Sequence, residues 1–103
     1  GDVNNDGYAD VLVGADREST AGTEAGAAYI VLGSSTGISS MSLSSADATL
    51  TGEAANDRAG RSVSTAGDVN NDGYADVLVG AQGESTGGSQ AGAVYLLWGS
   101  ASW

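Results

Sequence analysis

Asp2, Asn4, Asp6 and Asp10 lie within nine residues, with Gly7 between the last two aspartates, and the same pattern returns as Asp68, Asn70, Asp72, Gly73 and Asp76. Three carboxylates and an amide oxygen held so close repel one another unless a cation intervenes. The cation that suits them is Ca2+, a hard ion that takes six to eight oxygen ligands at about 2.3–2.6 Å. The glycine permits a sharp turn, which lets a main-chain carbonyl, from Tyr8 or Tyr74, face the ion. The spacing predicts two metal loops, Asp2 to Asp10 and Asp68 to Asp76. The competing reading is a pair of Asx-rich turns whose carboxylates only accept from backbone N–H groups.

The first half of each loop matches an EF-hand and the second half does not. An EF-hand needs a bidentate Glu at loop position twelve, where this chain has Val13 and Val79. Those valines sit in strand-like runs, so Asp10 and Asp76 become the last carboxylates and each loop should join two strands. Six of the 13 acidic residues fall in these two loops, against 3 basic residues in the chain and a formal charge of −10. That balance excludes nucleic acid and anionic membrane surfaces as partners and favours a cation.

Catalysis has little to work with. The chain has no His and no Cys, which removes the commonest general base and the imidazole and thiolate ligands of zinc and copper sites. No Lys is present to activate a serine, and the carboxylates stand at ligand spacing in one loop instead of facing each other across a cleft. The chain is expected to be no enzyme. Its longest apolar run, Ala27 to Leu32, is too short to span a bilayer, so membrane insertion is not expected.

The elements that must carry the loops follow from an internal repeat. Residues 1–37 and 67–103 align without a gap at an offset of 66 and share 25 of 37 positions, the first fifteen being identical. Each unit alternates short apolar runs, "ADVLVGA", "AGAAYIVLG" and "AGAVYLLWG" among them, with Gly/Ser/Thr-rich connections, the signature of short strands and turns. The run from Ala91 to Trp98 is apolar on both alternating faces and is expected to be covered on both sides. Four strands per 66 residues is the arithmetic of a propeller blade. The fold class expected is therefore all-β, built from four-stranded antiparallel β-propeller blades, about one and a half repeats. Residues 1–57 would supply strands two to four of a first blade with the loop 2–10, and residues 58–103 strands one to three of a second with the loop 68–76. Neither blade is complete, so the chain should be part of a longer array or associate with copies of itself.

The stretch "RAGRSVSTAGDVNNDGYADVLVGAQ", Arg58 to Gln82, resembles the FG-GAP repeat of integrin α-subunit propellers and their bacterial secreted relatives. The resemblance implies a D-x-[DN]-x-D-G-x-x-D calcium loop between the first two strands of a blade. Carried over, Asp68, Asn70, Asp72 and Asp76 would bind Ca2+ through side chains and Tyr74 through its carbonyl, with Asp2, Asn4, Asp6, Asp10 and Tyr8 as their counterparts. It also implies a structural or adhesive module, extracellular or secreted, with a protein or glycan ligand; a lectin-like, carbohydrate- or protein-binding propeller is the alternative. The chain departs from the pattern at Ala59, where the family has Phe, and at Asp16 and Gln82, where it has Pro.

Among the remaining residues, Tyr29, Tyr95 and Trp98 read as core aromatics in preference to a sugar-stacking platform. Trp103 reads as an exposed or inter-chain contact. Arg17, Arg58 and Arg61 read as partners of nearby carboxylates, and Ser34–Ser45 and Glu84–Gln90 as surface loops.

Overall fold

The structure, a computed structural model, describes residues 1–38, 40–84, 87–88 and 91–101. Trp103 and most of the connection from Glu84 to Gln90 lie outside the described residues. The runs rich in Val, Leu and Ile form six strands: β1 (Val11–Ala15), β2 (Ala27–Val31), β3 (Ala48–Thr51), β4 (Ala59–Gly67), β5 (Asp76–Ala81) and β6 (Ala93–Leu97). Among the described residues the only helical piece is a 3-10 turn at Leu43–Ser45, capped by the Ser42 hydroxyl, so the chain is all-β.

Two three-stranded antiparallel sheets result, ordered β1-β2-β3 and β4-β5-β6. The register pairs Leu12 with Ile30 and Ile30 with Ala48 in the first sheet, and Val79 with Val63 and Tyr95 in the second. Because side chains alternate, Leu12, Ala28, Ile30, Ala48 and Leu50 share one face of the first sheet. Val63, Val77, Val79, Ala81, Tyr95 and Leu97 share the opposing face of the second. These faces meet around a core of Val3, Ala28, Ile30, Ala59, Val77, Val79 and Ala81, with Leu12, Leu50, Tyr95 and Leu97 partly buried against it. Ile30 is wholly enclosed, which stabilises the fold by roughly 1.5–3 kcal/mol.

The sheets touch most closely through backbone at the start of β4. Ala59 forms a parallel bridge with Gly26, its N–H donating to the Ala25 carbonyl at 2.8 Å. A Cβ on Gly60, whose φ is +85°, would lie 2.1 Å from the Ala27 carbonyl oxygen, and one on Gly14 would lie 2.0 Å from the Gly60 carbonyl oxygen. Only glycine fits at either place. Arg58 pairs with Glu24 at 2.9 Å and Arg61 with Asp16 at 3.1 Å.

The aromatic expectation holds in part. Tyr29 and Tyr95 are half-buried, and Tyr95 donates its hydroxyl to Glu53 Oε1 at 2.5 Å. Trp98, expected in the core, is 53% exposed, because β6 is covered on one face only: Val94 and Leu96 on its other face are 70% and 44% exposed.

Candidate metal centre

Each acidic loop is a knot of side chain to backbone bonds. Asp2 accepts from the Asp6 N–H through Oδ1 at 3.1 Å and from the Gly7 N–H through Oδ2 at 2.8 Å. Asp68 repeats this with Asp72 at 3.0 Å and Gly73 at 2.8 Å. Asp6 and Asp72 each accept from the residue two places on, Tyr8 and Tyr74, at 3.0 Å. The turn needs left-handed backbone at Asn5 (φ 57°) and Gly7 (φ 90°), and at Asn71 (φ 57°) and Gly73 (φ 95°). Asn is the side chain that tolerates this region best, and Gly enters it freely. No backbone crowds the space where a Cβ on Gly7 would stand, so this glycine is required for its φ alone.

Burial works to raise the Asp2 carboxyl, but N–H donors from Gly7, Asp6, Asn5 and Asn4 outweigh it and hold the group below its ordinary value. The Gly73 N–H, assisted by Asp72 and Asn71 and opposed by burial, does the same for Asp68. Each loop thus holds its first carboxylate, Asp2 or Asp68, in favour of the ionised form.

Asp10 and Asp76 behave differently from the other loop residues. Asp10 accepts from Val3 and from Gly33, each at 2.8 Å, and Asp76 accepts from Val69 and from Gly99, each at 2.8 Å. Asp76 is fully buried. Each carboxylate therefore ties the start of its loop to the chain leaving the next strand but one, a bracing role that the ligand spacing alone did not reveal. Gly33 and Gly99 were missed as its partners, although their recurrence at the repeat offset was a readable signal.

Among the described residues, no three acidic side chains gather closely enough to hold a metal ion between them. The oxygens are instead spread over N–H donors. A carboxylate offers about four lone-pair sites, however, so two N–H bonds leave it able to bind further. One atom has no such provision: Asn4 Oδ1 is buried and has no hydrogen-bond partner among the described residues. A buried amide oxygen without a donor is destabilising by about 1–3 kcal/mol, and a cation beside it removes that penalty. In the second loop the Asn70 amide turns its nitrogen towards Asp72 Oδ2, at 3.1 Å. The all-oxygen donor set, its negative charge and the unpartnered Asn4 oxygen fit a hard divalent cation.

The FG-GAP repeat family model matches residues 1–31 and 59–97, both loops and the strands beside them. This chain belongs to the FG-GAP repeat family. Its repeats are integrin-like and propeller-type, and such repeats are in general structural and binding modules of extracellular or secreted proteins. No helix among the described residues is long and apolar enough to cross a membrane.

Proposed function

We propose that this chain is a calcium-binding blade module of an integrin-like propeller, with a structural or adhesive role outside the cell. The observation that carries the reading is the buried, unpartnered Oδ1 of Asn4 inside a loop of three aspartates that the chain repeats letter for letter. Side-chain oxygens of Asp2, Asn4, Asp6 and Asp10 and the Tyr8 carbonyl would hold one Ca2+; Asp68, Asn70, Asp72, Asp76 and the Tyr74 carbonyl would hold a second. The ion supplies positive charge that relieves carboxylate repulsion and fixes the loop between its strands. In the second loop it also gives the Asn70 amide reason to turn its oxygen inward, since an oxygen facing Asp72 without a cation is repelled.

Extracellular modules work with dissociation constants of about 0.1–1 mM, close to ambient calcium. At a constant near 0.1 mM, 1 mM free calcium adds roughly 1.4 kcal/mol per site. Calorimetric titration should show oxygen-type binding with calcium and little with magnesium, whose near-octahedral shell suits this loop poorly. Asp72→Ala should remove one site and leave the other, while Asp16→Asn, on a surface ion pair, should leave both. Equal calcium binding by those two variants, or none by the parent chain, rejects the assignment.

A second reading, a lectin-like module, draws on the cleft of about 570 Å³ between β3 and β6, where Thr49, Thr51, Glu53 and Tyr95 combine hydroxyls, a carboxylate and an aromatic ring. Glycan-array binding lost on Tyr95→Ala, with calcium affinity retained, would select it over a purely structural role.

A further inference from the structure

The seam between the two sheets joins two surfaces, and the 66-residue repeat carries a second example of each. On one side of the seam lie Val3, Leu12, Ala28 and Ile30. Their counterparts are Val69, Leu78, Val94 and Leu96, which lie on the outer face of the second sheet, three of them exposed: Val69 52%, Val94 70%, Leu96 44%. On the other side of the seam lie Val77, Val79, Ala81, Tyr95 and Leu97. Their counterparts are Val11, Val13, Ala15, Tyr29 and Val31 on the outer face of the first sheet, where Val11 is 42% exposed, Val13, Ala15 and Tyr29 are half-buried and Val31 is buried. The chain therefore ends in two unlike apolar faces, each the repeat of a surface already seen bound to the repeat of the other.

The polar fastenings of the seam are duplicated as well. Within the chain the Ala75 N–H donates to the Asp2 carbonyl at 3.0 Å, and the Ser100 N–H donates to the Val3 carbonyl at 2.9 Å. Shifted by one repeat, the donors become Ala9 and Ser34 and the acceptors Asp68 and Val69. Among the described residues, the Ala9 and Ser34 N–H groups and the Asp68 and Val69 carbonyls have no hydrogen-bond partner. They stand at the rims of the two exposed faces. The apolar positions named carry no charged side chain, and the contact would bring the acidic loops 2–10 and 68–76 of two copies side by side as the internal seam already does through the Ala75 N–H and the Asp2 carbonyl.

We infer that a second copy of this chain docks by its first sheet (Val11, Val13, Tyr29) onto the outer face of the second sheet (Leu78, Val94, Leu96), reproducing the internal seam between molecules. The contact is heterologous, so a docked pair keeps one free face of each kind, one on each copy, and association continues into a closed ring or a filament. The contact between copies uses the acidic loops with β1 and β2 of one copy and β5 and β6 of the other. The inference rests on the propeller-repeat reading but not on the ion, and mass and calorimetry fail independently.

Light scattering coupled to size exclusion, from about 10 μM to 1 mM protein, reads the outcome. The parent should exceed the mass of one copy. Val94→Asp and Val11→Asp, each on an exposed side chain and on opposite faces, should each be monomeric over that range, with circular dichroism unchanged. Mixed one to one, they should give a species of two copies and nothing larger, since each retains the face the other lacks. Val69→Asp, on an exposed loop, should weaken association at least ten-fold without touching a strand. A parent that stays monomeric, variants that associate like the parent through strand edges instead, or a mixture that stays monomeric would each overturn the proposal.

Discussion

The two copies of GDVNNDGYADVLVGA have the same local geometry and opposite surroundings. Asp2 and Asp68 bond to matching amides, Asn5 and Asn71 share one φ, and Asp10 and Asp76 brace matching glycines. Yet Val3 is 1% exposed and Val69 52%. Gly14 is pressed by the Gly60 carbonyl, while the nearest atoms to a Cβ on Gly80 would be 3.6 Å away. Identical residues thus fix the loop, and the neighbouring sheet fixes what is buried.

The sharpest break in that comparison is Gly14→Ala against Gly80→Ala. The first drives a Cβ into a backbone oxygen that cannot move without parting the sheets, and denaturant melts should show a loss of about 3 kcal/mol or more. The second meets only ordinary contacts and should stay within about 0.5 kcal/mol. Equal losses would mean that the seam at Gly60 does not hold the sheets. Next in size, Asp76→Asn turns one of two accepting oxygens into a donor facing a backbone N–H, costing about 2 kcal/mol in the same melts. Asp72→Asn, which keeps one accepting oxygen at an exposed site, should change the calcium-free stability far less.

Val3→Ala should cost about 1.5–2 kcal/mol and Val69→Ala about 0.5 or less, measured on dilute protein below any association. A matching pair of values would show that Val3 is not enclosed. The smallest effect is a pH dependence. Hydrogen bonding to Glu53, with burial and the Glu53 charge adding to it, pushes the Tyr95 phenol up from 10.0 to about 12. The folded value lies above the unfolded one, so this stabilisation is complete below about pH 10 and fades as pH rises through about 12. Tyr95→Phe should flatten the alkaline limb of the melting profile in that window, and superimposable profiles for parent and variant would remove the Tyr95 to Glu53 bond from the account.

Much of this was readable before the structure, and the reasons differ by residue. Strands β1 and β5 announce themselves through Val-Leu-Val runs between turn residues, and the all-β class follows from many such runs with no helical period. The acidic loops announce themselves by spacing. That spacing did not reveal that Asp10 and Asp76 each spend one oxygen on the loop N–H of Val3 or Val69 and the other on an N–H 23 residues further on, at Gly33 or Gly99, because the second bond depends on where β2 and β6 end. The exposure of Trp98 was misread for a similar reason. An apolar run on both faces states that two surfaces want cover, not that one chain supplies both. The parallel bridge from Ala59 to Gly26 left no local pattern at all, since it joins two segments that are individually ordinary.

The meeting of Gly14 with Gly60 has a geometric consequence for the assembly proposed above. At β1 and β4 the sheets approach until backbone touches backbone, whereas between β3 and β6 they stand apart around a cleft of about 570 Å³. The sheet pair is therefore a wedge, thin along its glycine edge, like a stone cut for an arch. Wedges laid face to face as proposed would not run straight; the stack would turn towards its thin side at every joint, and how closely two glycines allow the backbone to come would help set how many complete one turn.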